Sequence, residues 1–287
     1  MTGWNIYGFD IPYLVNRITR VSGEDEAKKL SPWGVINARE DTLYNRTFQV
    51  FELLGCVTLD YMRLFRKFAP NRSQESYRLD HIAQVEGVGQ KISYDDYDGL
   101  HDLYKKNYQL FIEYNIRDVE LVEKLNAKGR LIEMALTIAY DAKVNYDDIF
   151  AQVRMWDTIA HNYLYHKKVV VPPKFVSKKN QAYEGAYVKD PQVGMFNWVA
   201  SFDLNSLYPH LMMQYNIAPD TIIEPKDYTP TMRDILNQGI SVDKLLHQKV
   251  DLSGLKDVTI TPNGQFFRKN KQGFLPEILE KMYNDRT

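Results

Sequence analysis

The sequence predicts a mixed α/β (α+β) chain whose first part is rich in helices and whose second part turns to strands. Three observations carry that expectation. Leu103 to Leu125 and Leu131 to Val144 are long apolar-periodic stretches that read as helices. From Ala182 onward the apolar runs shorten to strand length, as at Ala186 to Val188 and Trp198 to Phe202. Between the two halves, Pro172-Pro173 and the polar, basic stretch Lys174 to Asn180 read as a linker.

Taken in order, Gly3 to Asp10 reads as a strand end and a loop, and Ile11 to Ile18 as a helix with Pro12 in its first turn. Gly23 to Lys29 reads as a charged loop. Val35-Ile36 and Phe48 to Phe51 read as two strands around the polar stretch Asn37 to Arg46, a candidate hairpin. Val57 to Phe68 reads as a helix with Leu59, Met62, Leu64 and Phe65 toward one side. In the second half, Pro225 to Gly254 is irregular and has the character of an insertion. Val258 to Phe267 reads as a strand pair turning at Pro262-Asn263-Gly264. Pro276 opens an amphipathic helix that runs into the C-terminus.

At 287 residues, 44% hydrophobic and 25% charged, the chain has the size of two ordinary domains and the composition of a soluble globular protein. A formal net charge of −1 provides no global basic field, which leaves a local basic groove open. The single cysteine, Cys56, excludes an intramolecular disulfide framework and fits a reducing cytoplasm. No signal peptide and no apolar run of the ~20 residues needed for a membrane span is expected, so no membrane partner is. Twenty tyrosines and thirteen phenylalanines supply rings for stacking on bases or for a core.

The most informative segment is Ser201-Phe202-Asp203-Leu204-Asn205-Ser206-Leu207-Tyr208-Pro209. It reads as a short strand that delivers one carboxylate, then a sharp turn offering backbone amides, a hydroxyl and an aromatic ring. A carboxylate at a strand end can hold Mg²⁺ together with phosphate oxygens. Consecutive amides in the turn can cradle a polyphosphate. That order of groups suits a nucleoside triphosphate on a divalent metal.

Asp203 to Pro209 resembles motif A of the family B DNA polymerases. The longer run through Gln214-Tyr215-Asn216-Ile217-Ala218-Pro219-Asp220-Thr221 is similar to the replicative polymerases of T-even-like bacteriophages. His210 stands where the family usually carries Ser. The resemblance implies that Asp203 is a palm carboxylate binding catalytic metal and that the Leu204 carbonyl adds a ligand. It implies that the Ser206 and Leu207 amides face the triphosphate, and that Tyr208 lies under the sugar where a 2′-hydroxyl would clash. Leu275 to Arg286 resembles the helix entering the fingers, with Arg286 matching an arginine that grips phosphates; by itself, a cation there also complements its own helix C-terminus.

A second constellation lies upstream. Tyr114 and Asp118 are four apart in a helical stretch and so share a face. Tyr-Asn-Ile-Arg-Asp resembles the third exonuclease motif of proofreading polymerases, in which the carboxylate holds a metal and the phenol orients water. Asn5-Ile6-Tyr7-Gly8-Phe9-Asp10 resembles the second, whose Asp is another ligand; read alone, Asp10 could equally cap the helix that follows. Asp118-Val119-Glu120 matches the first motif, Asp-x-Glu, only in letters, because residues two apart on a helix diverge. Tyr183-Glu184-Gly185-Ala186 resembles the element joining the two regions near template DNA, and the hairpin lies where relatives carry one that passes the primer end.

The resemblance thus implies an RNase H-like 3′–5′ exonuclease domain over 1–130 without its N-terminal part, and a helical connecting region over 131–174. The beginning of the palm follows over 175–274, and the start of a fingers helix over 275–287. It implies primer-template DNA and deoxynucleoside triphosphates as partners, two Mg²⁺ per complete active site, and the host bacterial cytoplasm as location. The fingers motif Lys-x-x-x-Asn-Ser-x-Tyr-Gly and the palm motif Asp-Thr-Asp do not occur. The expectation is therefore an internal portion of a longer polymerase, inactive alone and completed by a C-terminal portion. The alternative is a non-catalytic DNA-binding half of a split polymerase. A free-standing nuclease would have no use for motif A or Arg286.

Overall fold

Residues 1–43, 46–173 and 188–286 are described by a computed structural model. They form two units, residues 1–159 and 160–287.

In the first unit, β1 (Thr2–Gly3) leads through a turn into α1 (Asp10–Ser22), and α2 (Glu24–Lys28) follows at once. α1 buries Ile11 and Val15, one turn apart, against Phe51 and Leu53. Gly23, at φ +98°, ends it where a side chain would be strained. The predicted charged loop at 23–29 is corrected here. Glu24, Asp25 and Glu26 fill the first turn of α2 and Lys28 the last, the arrangement that complements the helix dipole.

β2 (Ile36–Leu43) and β3 (Arg46–Leu53) form an antiparallel hairpin in register from Ile36 opposite Leu53 to Leu43 opposite Arg46. The strands run through the polar stretch that the sequence reading gave to the turn. Asn37 to Glu40 are exposed, and backbone pairing does not depend on apolar side chains there.

β4 (Leu59–Asp60) pairs in parallel with β1 and passes directly into α3 (Tyr61–Phe68). Asp60 sets that junction. It is 1% exposed, and its carboxylate accepts from the backbone N–H groups of Asn5, Tyr7, Met62 and Arg63. It therefore caps α3 and holds the β1–α1 loop with one side chain.

α4 (Leu79–Val85) and α5 (Leu100–Lys106) precede α6 (Tyr108–Gly129), α7 (Leu131–Ala142) and a 3-10 turn at Tyr146–Phe150. The expected long helix at 103–125 is divided at Asn107, whose side chain caps α6 by accepting from the Leu110 N–H. The main core joins Leu64 and Phe65 of α3, Ile82 of α4, Leu121 and Leu125 of α6, and Ala135 and Ala139 of α7. Each fully buried leucine contributes about 1.5–3 kcal/mol of transfer free energy. α8 (Gln152–His166) lies within 131–174, the stretch expected to be a helical connecting region.

In the second unit, α9 (Leu207–Tyr215) is followed by a 3-10 turn at Pro225–Asp227, α10 (Pro230–Asn237) and α11 (Val242–Leu246). β5 (Val258–Ile260) and β6 (Phe266–Arg268) pair in antiparallel fashion and turn at Gly264, φ +82°, as predicted. α12 (Phe274–Arg286) begins two residues before the predicted Pro276. The stretch Pro225 to Gly254, read as irregular, supplies Met232 and Ile235 to a core with Ile223, Ile260 and Phe266. Pro230 opens α10, and the Thr229 hydroxyl caps it.

The run Asn216 to Thr221 is a structural clasp. Buried Asn216 donates to the carbonyl of Lys271 and accepts from the Gly273 N–H, both at 2.8 Å. The Thr221 hydroxyl donates to the Asn216 carbonyl at 2.6 Å. A Cβ on Gly273 would come 2.6 Å from that of Ala218, so only glycine allows this approach. The clasp ties the end of α9 to the start of α12.

The strand expected at Trp198 to Phe202 does not form. A strand exists through its ladder, and among the described residues no segment pairs with 198–202. Trp198 and Phe202 are 96% and 92% exposed. Of the expected strand at 186–188, Val188 is not in one, and Ala186 and Tyr187 lie outside the described residues, as does the linker stretch Lys174 to Asn180.

Candidate active-site cleft

A cleft of about 1010 Å³ lies in the first unit, walled by the loop before α1, the start of α4, the loop after α4, and α6. Asp10, Tyr114 and Asp118 all line it, although Asp10 is far from the other two in sequence. α6 brings Tyr114 and Asp118 onto one face. The loop anchored by Asp60 leads into Asp10, which lines the same cleft.

Asp10 is the first residue of α1, one past the N-cap position that Phe9 occupies, so it does not sit where a capping side chain would. Its carboxylate reaches solvent, yet the cleft walls desolvate it and raise its pKa above the ordinary range. One oxygen of Asp118, Oδ1, is buried with no hydrogen-bond partner. Its other oxygen accepts from the Lys91 ammonium at 2.6 Å. Lys91 also donates to the Tyr114 hydroxyl at 3.0 Å. Burial alone would lower the Lys91 pKa, but the hydrogen bonds to Asp118 and Tyr114 outweigh it and hold it raised. Tyr94 packs edge-on against Tyr114, with centroids 5.3 Å apart, and fixes the phenol.

Sequence reasoning missed Lys91. It lies in a loop 27 residues from Asp118, and only the tertiary fold joins them. The one local trace is the pair Gly87 and Gly89, at φ +67° and +137°, which marks the tight path of that loop. Glu120 turns away to pair with Arg117 at 3.0 Å, in keeping with the reading that Asp118 and Glu120 cannot act together.

A buried carboxylate oxygen without a hydrogen-bond partner, on a residue that lines a polar cleft together with Asp10, Asp80 and Asp95, fits a divalent cation. Asp10 and Asp118 would hold it. No cluster of three or more His, Cys, Asp or Glu side chains with metal-binding geometry occurs among the described residues.

In the second unit, Asp203 and Leu204 lie in an exposed segment without secondary structure, not at a strand end. Ser206 adopts a left-handed conformation, φ +54°, immediately before α9, and Leu207 is the first residue of that helix. Their amides therefore stand at a helix N-terminus, where unpaired N–H groups face outward. Tyr208 is 71% exposed on the first turn. α12 packs against α9, with the rings of His210 and Tyr283 meeting edge to face at 4.8 Å. Arg286 closes α12; its side chain lies outside the described residues, as do Tyr183 and Gly185.

Comparison with known proteins identifies the chain. The family model for the exonuclease domain of DNA polymerase family B matches residues 1–82, and that for DNA polymerase family B matches residues 151–287. The DNA-directed DNA polymerase of Escherichia phage RB69 is 34% identical over 286 residues, which is all of this chain and 30% of the phage protein. The chain belongs to family B of the DNA polymerases.

The DNA-directed DNA polymerase of Enterobacteria phage T4 is 31% identical over 288 residues, and the chain again spans 30% of it. The DNA polymerase delta catalytic subunit of Schizosaccharomyces pombe is 26% identical over 305 residues and is spanned to 26%. Asp10 falls inside the exonuclease-domain match and Asp203 to Pro209 inside the family B match. Tyr114 and Asp118 fall between the two matches and join Asp10 through the cleft. No helix among the described residues is long and apolar enough to cross a membrane.

Proposed function

We propose that the chain forms part of a DNA-directed DNA polymerase with 3′–5′ proofreading. The cleft holds primer ends for hydrolysis, and the segment around Asp203 serves nucleotidyl transfer. The shared cleft of Asp10, Tyr114 and Asp118 is the observation that carries this reading. The partners are primer-template DNA, deoxynucleoside triphosphates and a C-terminal polymerase portion with the second palm carboxylate. The place of action is the cytoplasm of a phage-infected bacterium, as befits the two phage relatives.

In the nuclease cleft, the Lys91 ammonium offers its charge to the scissile phosphate, and the Tyr114 hydroxyl beside it orients the attacking water. Lys91 engages one Asp118 oxygen and leaves the other without a partner, and Asp118 and Asp10 are the residues that would hold Mg²⁺. Magnesium, when bound, neutralises phosphate charge and lowers the pKa of the water. At the other site, Asp203 and the Leu204 carbonyl would hold metal, the Ser206 and Leu207 amides and Arg286 would bind phosphates, and Tyr208 would pack on the deoxyribose. Tyr183 and Gly185 contact template DNA. The stretch 131–174 connects an exonuclease domain over 1–130 to a palm over 175–274, with fingers entry over 275–287.

A second reading, a DNA-binding half that does not turn over by itself, is favoured by the position of Asp203, exposed and with no metal-binding cluster about it among the described residues. Incubating the chain with Mg²⁺, primed template and all four deoxynucleotides separates the two. Binding without extension is expected for the chain alone, with extension on adding the C-terminal portion. No binding to primed template would overturn both readings.

A further inference from the structure

Lys91 owes its place to a residue on another element. Asp80, in the first turn of α4, is half-buried in the cleft wall. Its Oδ1 accepts from the Lys91 backbone N–H at 2.8 Å, and its Oδ2 accepts from the Gln84 side-chain amide at 2.9 Å. The loop between has further ties. The Val88 N–H donates to the Ala83 carbonyl at 2.9 Å, and Arg117 Nε donates to the Gln90 carbonyl at 3.1 Å. Gly89 lets the loop pass over α6, since a Cβ there would come 3.0 Å from Arg117 Nη2 and 3.3 Å from Leu121 Cδ2.

We propose that Asp80 is a positioning residue of this cleft, pinning the Lys91 backbone so that its ammonium stands between Tyr114 and Asp118. The proposal rests on the reading of the cleft as a site for DNA phosphodiesters. The lysine ammonium is a point charge on a long flexible stem, so its location depends on where the backbone is anchored. Among the hydrogen bonds of the described residues, only the one to Asp80 holds the Lys91 backbone, and its acceptor is a carboxylate, the stronger kind. Asp80 holds neither phosphate nor metal; it acts through Lys91.

The test labels lysines of the 287-residue chain with an amine-reactive reagent and reads each site by mass spectrometry. Asp80→Ala raises labelling of Lys91 about tenfold, the scale of one charge-assisted hydrogen bond, while Lys28 and Lys143 stay as in the native chain. Asp80→Asn, which keeps the Oδ1 acceptor, leaves Lys91 protected. If Asp80→Ala does not fold, Asp80→Ser, too short to reach the Lys91 N–H, is read in its place. Unchanged Lys91 labelling in the short-side-chain variant, or equal exposure in Asp80→Asn, overturns the proposal. A double-mutant cycle on binding of a single-stranded oligonucleotide, followed by fluorescence anisotropy, then checks the route. Asp80→Ala weakens binding about tenfold in the native background and not at all in Lys91→Ala. An equal loss in both backgrounds overturns the claim that Asp80 acts through Lys91. If the native chain binds no oligonucleotide while labelling follows the expected pattern, the DNA reading fails and the placement of Lys91 by Asp80 stands.

Discussion

The ring of His210 meets the edge of Tyr283 at 4.8 Å, with the two planes at 83°, and so joins the helix that follows Asp203 to the helix that ends at Arg286. His210 is the position at which this sequence departs from the usual Ser of motif A. Its Nδ1 also lies 3.0 Å from the Ser206 carbonyl oxygen, so one side chain braces both the turn and the helix pair. The departure is matched by an aromatic partner across the interface. His210→Ser therefore removes an edge-to-face pair worth about 0.5–1.5 kcal/mol. Amide hydrogen exchange in α12 should quicken accordingly, and unchanged exchange there would show that the contact carries no stability.

Asp60 is expected to be the most sensitive polar position in the first unit. Asp60→Ala leaves four backbone N–H groups without their acceptor and removes the cap of α3, a loss of about 3 kcal/mol or more. Asp60→Asn keeps the Oδ1 acceptor used by Asn5, Met62 and Arg63 and loses only the bond from Tyr7, so it should cost about 1–2 kcal/mol. Urea unfolding of both variants measures the difference. Equal losses would mean that Oδ1 is not the principal acceptor.

A smaller cleft of about 300 Å³ between the hairpin, α3 and the 3-10 turn gives a pH prediction. Desolvation, and then the charge of Glu52, raise the Asp147 carboxyl pKa above its ordinary value of 3.8. The same burial, with Asp147 adding to it, pushes the Tyr7 phenol up to about 12. A carboxyl raised in the folded state contributes stability that is complete below its unfolded pKa and is lost as pH rises through the folded one. Asp147→Asn escapes that loss. Its melting temperature relative to the native chain should be higher at pH 7 than below pH ~4, the unfolded carboxyl range. A difference that does not change with pH would contradict the assignment.

At the nucleotide site, Tyr208→Ala in the intact polymerase should admit ribonucleotides, since the ring is the steric bar to a 2′-hydroxyl in the proposed site. Competition between ribo- and deoxynucleotides in primer extension reads this directly. Unchanged sugar discrimination would remove Tyr208 from the site.

What the sequence made legible was local or motif-bound. The helix behind Pro12, the turn at Gly264 and the Tyr114–Asp118 face followed from spacing and turn chemistry, because each is decided within a few residues. Trp198 to Phe202 has the composition of a strand but no partner among the described residues, and a local pattern says nothing about partners. α8 falls within the expected helical connecting region 131–174 but buries no residue, so no apolar stripe marks its ends. Asn216 to Thr221 was noticed as a family-like string, but its work as a clasp from α9 to α12 depends on a carbonyl and a backbone N–H more than fifty residues away. Lys91 and Asp80 were invisible for the same reason. Their roles come from bonds between α4, a loop and α6, not from any spacing along the chain.

The central claim is that Asp10 and Asp118 act together as cation ligands in a single cleft. Titrating the chain with Mn²⁺ and recording backbone amide spectra tests it without any need for turnover. Signals around Phe9 to Ile11 and around Arg117 to Val119 should broaden together at low Mn²⁺, and the broadening should disappear in both Asp10→Asn and Asp118→Asn. Broadening confined to one segment, or persisting in either variant, would contradict the account.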